Sequence, residues 1–164
     1  MEFRAVVITV SDKGSRGERE DLSGPELTAM LQKAGIDIVG RRIIPDEQDQ
    51  IRSALRKESD GGQVDLIVTT GGTGVSPRDV TPDATLAVID RQIPGMAEEM
   101  RRASAAITPH AMISRAVVGI RGRTLIINLP GSPKGARENL AVLMPALRHA
   151  IEKIKGDPRD CASS

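Results

Sequence analysis

A glycine-rich segment at residues 69–83 holds the residues best suited to chemistry. Gly71, Gly72 and Gly74 let the backbone approach a ligand closely and expose its N–H groups. Two hydroxyls, one arginine and the carboxylates of Asp79 and Asp83 follow at once. Such a turn, placed between an apolar run and a helix start, is typical of an anion-binding site.

Common phosphate-binding and nucleophile motifs do not fit this segment. A Walker A motif requires Gly-Lys-Ser/Thr, whereas Gly74 is followed by Val75 and Ser76 without a lysine. The dinucleotide fingerprint requires a third glycine or alanine where this chain has Pro77. The sequence also has no Gly-x-Ser-x-Gly nucleophile elbow. What remains is the chemistry of carboxylates and backbone donors.

Two aspartates, Asp46 and Asp79, each follow a predicted strand and precede a predicted helix. Carboxylates at such places can hold Mg2+, which prefers oxygen ligands and substrate phosphates, or can orient a nucleophile. Structural roles remain open for both, because Asp46 can cap a helix and Asp79 can form a turn or a salt bridge. Asp83 lies in the first turn of a predicted helix, where its charge favours the helix dipole.

The elements that must position these residues alternate along the chain. Strands are predicted at residues 3–10, 36–44, 64–68, 116–120 and 124–129. Helices are predicted between them: one ends at Gly35, one opens at residues 45–47, and others span residues 82–90, start at Pro94 and run from 133 to about 155. This order predicts an α/β fold, a three-layer α/β/α sandwich with a mainly parallel sheet.

Ligands of such sheets bind beyond the carboxyl ends of the strands. Four polar loops follow candidate strands, and we expect them to converge on one rim: residues 11–17, 45–49, 71–83 and 130–134.

Composition limits the remaining possibilities. The chain has 164 residues, 39% of them hydrophobic and 27% charged, which predicts one soluble domain at residues 1–155 and a polar, mobile tail at 156–164. A net charge of +1 and an aromatic content of one phenylalanine argue against nucleic-acid binding. Cys161 is expected to be a free thiol, and the N-terminal run resembles neither a signal peptide nor a membrane span, so we expect a cytoplasmic protein.

Taken in order, several motifs resemble the MogA/MoaB-like molybdopterin adenylyltransferases. The resemblance spans roughly residues 3–155 and rests on these segments: Ser-Asp at 11–12, Ile-Pro-Asp-Glu at 44–47, Thr-Thr-Gly-Gly-Thr-Gly at 69–74, Arg-Asp-Val-Thr-Pro-Asp-Ala-Thr at 78–85, Ile-Pro-Gly-Met at 93–96, Ile-Ser-Arg at 113–115 and Asn-Leu-Pro-Gly-Ser-Pro at 128–133.

The resemblance implies that the terminal phosphate of molybdopterin attacks the α-phosphorus of ATP, with Mg2+ required. It implies a homotrimer, and contact with the molybdate-inserting protein of the pathway is possible. It assigns Asp46 and Asp79 as catalytic residues and as the candidate Mg2+ ligands. The substrate- and nucleotide-binding residues it implies are Ser11, Asp12, Gly71, Gly72, Thr73, Gly74, Ser114, Pro130, Gly131 and Ser132.

Several alternatives stay open at this point. Arg78 and Lys134 are candidates for phosphate contacts or ordinary solvated charges, and the Ser114 hydroxyl is either a substrate contact or simply a strand-edge or cap hydroxyl. The chain can also be a molybdopterin carrier or storage protein without adenylation, or a structural oligomerisation domain. Without Tyr or Trp, the pterin and adenine rings must rest on aliphatic side chains, Met or backbone.

Overall fold

The computed structural model describes residues 2–159 of the chain as six strands, six α-helices and one 3-10 helix. The elements are, in order, β1 (Phe3–Val10), α1 (Asp12–Ser15), α2 (Ser23–Lys33), β2 (Ile36–Ile44), α3 (Gln48–Asp60), β3 (Leu66–Thr70), α4 (Thr81–Leu86), β4 (Arg91–Gln92), α5 (Pro94–Ala105), the 3-10 helix (Pro109–Ile113), β5 (Val118–Arg121), β6 (Thr124–Leu129) and α6 (Pro133–Ile154).

The strands form one sheet in the order β2-β1-β3-β6-β5-β4. The first four are parallel, and β5 alone runs in the opposite direction because it joins β6 through the Gly122 turn. The mainly parallel α/β sheet predicted from the sequence is confirmed. Thr9 of β1 lies beside Thr70 of β3, which lies beside Leu129 of β6, so three strands end at the same level.

Helices cover both faces of the sheet, which confirms the three layers. Apolar side chains of α2, α5 and α6 pack on one face, including Leu27, Met100 and Leu140. Side chains of α3 and α4 pack on the other, including Ile51 and Ala84. Because both faces are covered, the central strands are apolar on both sides, as expected for a parallel sheet.

Some boundaries differ from the sequence prediction around the glycine-rich segment. The third strand extends through Thr69 and Thr70, since both pair with β1 and β6 and their side chains are fully buried. Thr81 is the first residue of α4 and not its N-cap, and its hydroxyl donates to the Gly71 carbonyl. That helix ends at Leu86, because the chain then turns into the two-residue edge strand β4, which has no sequence pattern of its own.

The described part of the final segment is held by ion pairs. Arg159 binds the carboxylates of Glu152 and Asp157, and the Asp157 amide donates to the Glu152 carbonyl. Residues 160–164 of the predicted tail, including Cys161, lie outside the described residues. Between residues 2 and 159, no helix combines the length and the hydropathy that crossing a membrane requires.

Burial in the core predicts how much stability is lost when a side chain is truncated. Ile67→Ala removes a fully buried side chain from the centre of β3 and is expected to lower the free energy of unfolding by about 2–5 kcal/mol in urea titrations. Ile43→Ala, at a side chain that is 41% exposed, is the matched control and should cost less than about 1 kcal/mol. Equal losses in both variants would contradict this description of the core.

Candidate functional site

A cleft of about 440 Å3 opens at the carboxyl ends of the parallel strands. The loops after β1, β3 and β6 and the segment that precedes α2 form its walls, and the loop after β2 contributes Asp46. The convergence expected for the four polar loops is therefore observed. Predicted site residues that line this cleft are Ser11, Asp46, Gly71, Gly72, Asp79, Gly131 and Ser132.

Two glycines make the first turn of this site possible. Gly71 and Gly72 have φ values of 106° and 67°, a region that other residues rarely adopt. A Cβ on Gly71 would lie 2.3 Å from the Val10 carbonyl oxygen, and one on Gly131 would lie 3.3 Å from the Gly71 Cα. Backbone thus packs directly on backbone where three loops meet.

The same turn leaves several amides without partners. The Gly71 amide donates to the Leu129 carbonyl over 3.0 Å, so it is already used within the fold. The amides of Gly72, Thr73 and Gly74 have no acceptor among residues 2–159. These three successive donors, rather than all four of the predicted loop, are available to a ligand anion.

Asp46 joins the loops that follow β1 and β2. Its Oδ2 accepts from the Asp12 amide over 2.8 Å, and the Asp12 Oδ1 accepts from the Asp46 amide over 3.0 Å. The cap position of α3 belongs to Glu47, so the helix-cap alternative for Asp46 is wrong. Burial raises the pKa of Asp46 above its ordinary value, and the nearby charges of Asp12 and Asp79 act in the same direction.

Arg78 sits behind this pair and not in the cleft. It donates to both carboxylate oxygens of Asp12 over 3.0 and 2.9 Å and to Glu47 over 2.9 Å. The Arg78 hydrogen bond lowers the pKa of Asp12. Arg78 therefore orients Asp12, whose amide in turn orients Asp46. Lys134 lines neither of the clefts described here and lies 3.9 Å from Glu138.

Asp79 combines a turn with a place in the cleft. Its Oδ2 accepts from the Ser76 amide over 2.9 Å, and a Cβ on Gly74 would lie 2.8 Å from that oxygen. The Oδ1 atoms of Asp46 and Asp79 accept no hydrogen bond from any residue in the 2–159 range. Both carboxylates thus keep one oxygen for a ligand.

The charged residues that line the first cleft decide whether it suits a metal ion. Its lining includes four carboxylates, from Glu20, Asp21, Asp46 and Asp79, but only one cation, Arg19, among the described residues. Within that same range no three His, Cys, Asp or Glu side chains are grouped so as to hold a metal ion by themselves. This donor set fits Mg2+, which needs only one or two carboxylates when substrate phosphates supply further ligands.

A second cleft of about 280 Å3 lies on the other side of the Pro130–Ser132 loop. Ser114 opens into it together with Thr73, Gly74, Pro130 and Ser132, the last of which also lines the first cleft. Part of the wall of the second cleft is apolar and consists of Ile107, Ala111 and Ile113. The predicted site residues are therefore divided between two adjoining clefts.

Serine hydroxyls accept backbone hydrogen bonds at the rims of both clefts. The Ser11 hydroxyl caps α1 and the Ser132 hydroxyl caps α6, accepting from the amides of Gly14 and Gly135. The Ser114 hydroxyl accepts a long hydrogen bond of 3.3 Å from the Ala116 amide. Its own hydrogen has no acceptor among the described residues.

Four charged residues of the site were missed by the sequence reasoning. Arg115 binds the carbonyls of Gly74 and Asp79 and the carboxylate of Asp83, so it fastens the glycine-rich loop from outside. Arg19, Glu20 and Asp21 also line the first cleft, from the segment before α2. The sequence held a signal only for Arg115, which lies beside Ser114 in the Ile-Ser-Arg segment. The other residues gave none, because polar residues in an exposed loop have no periodic pattern.

Comparison with known proteins agrees with this geometry. Residues 6–149 match the family model described as "Probable molybdopterin binding domain". The Molybdopterin adenylyltransferase of Helicobacter pylori strain J99 is 42% identical over 153 residues, which cover 92% of this chain and 87% of that protein. Gephyrin of Dictyostelium discoideum is also 42% identical, and the match spans 96% of this chain but only 23% of gephyrin.

A solved structure extends the likeness to three dimensions. The crystal structure of the molybdopterin biosynthesis enzyme MoaB from Thermus thermophilus is 47% identical, superposes with a TM-score of 0.89 and covers 96% of this chain and 99% of its own. The family model matches residues 6–149 of this chain, and the MoaB structure has the same fold. This chain therefore belongs to the molybdopterin-binding family of molybdenum cofactor biosynthesis.

Proposed function

We propose that this chain is a molybdopterin adenylyltransferase of molybdenum cofactor biosynthesis. A terminal phosphate oxygen of molybdopterin attacks the α-phosphorus of ATP, and the bond from that phosphorus to the bridging oxygen of pyrophosphate breaks. The products are adenylated molybdopterin and pyrophosphate. The observation that carries the proposal is the placement of Asp46 and Asp79, each with a free oxygen, beside the unpartnered amides of the glycine-rich loop.

The reaction makes positioning the main task of the protein. The nucleophile is a phosphate of the substrate, so the chain needs to align two polyanions and not to supply a Ser, Cys or His nucleophile. The amides of Gly72, Thr73 and Gly74 are donors for phosphate oxygens, and Arg19 adds a guanidinium to the lining of the first cleft. Preorganised donors of this kind are worth about 3 kcal/mol each in the transition state.

The excess of carboxylates supports a role for Mg2+. A polyphosphate entering a cleft with four carboxylates and one guanidinium meets net repulsion unless a cation accompanies it. Asp46 and Asp79 are the residues that would hold Mg2+, and the ion would supply neutralisation of phosphate charge. Asp12 and Arg78 keep the Asp46 carboxylate in place for this task.

The second cleft has the character of a ring-binding pocket. Its apolar wall of Ile107, Ala111 and Ile113 supplies the aliphatic surface on which a pterin or an adenine ring can rest in a chain without Tyr or Trp. Ser132 lies between the two clefts, so a ligand with a ring in the second cleft can extend its phosphates into the first.

Assembly and location are part of the same proposal. We expect a homotrimer in the cytoplasm that passes its product to a molybdate-inserting partner. Met112, a large apolar side chain that is 74% exposed beside the second cleft without lining it, supports burial against another chain.

Adenylation is tested directly by product analysis. The protein is incubated with molybdopterin, MgATP and pyrophosphatase, and adenylated molybdopterin is measured by mass spectrometry. Asp46→Asn and Asp79→Asn are expected to bind substrate but to lose turnover, because the neutral amide no longer binds a cation. Unchanged product formation in both variants would refute their roles, and binding without ATP consumption by the wild type would favour a carrier.

Arg19 is predicted to bind phosphate. Arg19→Gln should raise the KM for MgATP or molybdopterin by about tenfold, because a charge-assisted hydrogen bond contributes about 1.5–3 kcal/mol. The matched control is Arg16→Gln, in the same segment, whose guanidinium is bonded to Glu18 and does not line the cleft. Equal kinetic parameters in the two variants would remove Arg19 from the site.

Asp46 should also limit stability in a pH-dependent way. Its raised pKa means that the folded state disfavours the charged carboxylate, a penalty present above the folded-state pKa and absent below about pH 4. Asp46→Asn keeps an acceptor for the Asp12 amide, so its Tm should exceed that of the wild type at pH 8, and the difference should vanish below about pH 4. A lower Tm for Asp46→Asn at pH 8 would contradict the prediction.

A further inference from the structure

Asn128 is a fully buried polar side chain near the carboxyl end of β6, between Ile127 and Leu129. Its Nδ2 donates to the hydroxyls of Thr69 and Thr85 over 3.0 and 2.9 Å, and its Oδ1 accepts from the Val117 amide over 3.1 Å. Burying an amide is costly unless such bonds are made, and an aliphatic side chain would avoid the cost altogether. The use of Asn at this position therefore calls for a role beyond packing.

The hydrogen bonds continue from Asn128 to the glycine-rich turn. The Thr85 hydroxyl donates to the Thr81 carbonyl over 2.8 Å, and the Thr81 hydroxyl donates to the Gly71 carbonyl over 2.9 Å. The Thr81 amide also donates to the Gly72 carbonyl over 3.2 Å. The side chains of Asn128, Thr85 and Thr81 are all 0% exposed, and we refer to these three residues as the polar relay.

The hydrogen bonds of the relay can run in only one donor-to-acceptor direction at Thr85. A hydroxyl has a single hydrogen, and that of Thr85 is used on the Thr81 carbonyl, so Thr85 must accept from an N–H donor. The amide group of Asn128 provides that donor. Loss of the Thr85 hydroxyl would leave one N–H of the Asn128 amide unpaired in the interior and would remove the side-chain bond to the Thr81 carbonyl.

The turn at the end of the relay needs support. Gly71 and Gly72 are both at positive φ, and a Cβ on Gly72 would lie 2.5 Å from the Thr81 hydroxyl oxygen and 3.1 Å from Asp46 Oδ1. The Thr81 side chain thus fills the space beneath the turn, directly behind the free amides and the Asp46 carboxylate. A shift of Thr81 would displace the turn, because both its hydroxyl and its amide are bonded to the turn carbonyls.

We propose that Asn128, Thr85 and Thr81 are positioning residues that hold the Gly71–Gly72 turn in register for phosphate binding. The proposal rests on the adenylyltransferase function proposed above. The bond from the Val117 amide to Asn128 ties the relay to the segment that carries Ser114 and Arg115, and the Arg115 amide donates to the Thr73 carbonyl over 2.8 Å. The relay therefore connects the walls of both clefts.

A purely structural role is the alternative, and the same sheet offers a matched control. The Thr124 hydroxyl, at the opposite end of β6, is 1% exposed and donates to the Val64 carbonyl over 2.7 Å. Thr85→Val and Thr124→Val each remove one buried hydroxyl without changing side-chain shape. Thr85→Ser keeps the hydroxyl and serves as the rescue variant.

Two readouts test the relay. In amide hydrogen exchange, Thr85→Val should expose the Gly71 and Thr81 amides to faster exchange, whereas Thr124→Val should leave them at the wild-type rate. In the adenylation assay, kcat of Thr85→Val should fall about tenfold to a hundredfold, because a displacement of about 1 Å at a catalytic site costs up to about a hundredfold. Thr85→Ser should restore both values, and Thr124→Val should retain kcat.

The outcomes separate the relay from the function on which it rests. Wild-type exchange at Gly71 and Thr81 in Thr85→Val would overturn the relay, whatever the enzyme activity. Equal losses of kcat in Thr85→Val and Thr124→Val, with matching losses of Tm, would also overturn it in favour of plain stability. Absence of adenylated product from the wild-type protein would refute the proposed function, and the exchange measurement would still decide whether the relay holds the turn.

Discussion

Backbone packs directly against backbone at the carboxyl edge of the sheet, and the whole site depends on that contact. The loops after β1, β3 and β6 leave their strands at one level and meet at Gly71, with the Val10 carbonyl on one side and Gly131 on the other. A side chain at Gly71 would push these loops apart. Because no Cβ intervenes, the first cleft can be lined by amides and by carboxylates from several strands at once.

Charge is the second organising feature of the site. The first cleft is acidic although its proposed substrates are polyanions, which supports the proposal that a cation joins the protein and the phosphate. The acidic lining is maintained at a cost, since burial raises the pKa of Asp46. Arg78 offsets part of this cost by binding Asp12, which leaves the Asp12 amide aimed at Asp46.

Rigid support lies behind these groups on both sides. Arg115 fastens the glycine-rich loop from the outside through three carbonyl or carboxylate partners, and the buried hydroxyls of Thr81 and Thr85 support it from the inside. Such support is what a reaction between two bound phosphates requires, because its rate depends chiefly on alignment. The second cleft adds an apolar surface, and Ser132 lines both clefts.

The sequence alone determined the α/β architecture, the carboxyl-edge loops and the roles open to Asp46 and Asp79, because periodic apolar runs and glycine-rich turns are local signals. It could not reveal that Thr69 and Thr70 continue β3, that Thr81 supports the turn from within α4, or that Ser114 faces a separate cleft. Nor could it place Arg19 and Arg115, whose exposed positions have no periodicity. These features depend on partners that lie far apart in sequence and meet only when the sheet is assembled, so the tertiary structure alone decided them.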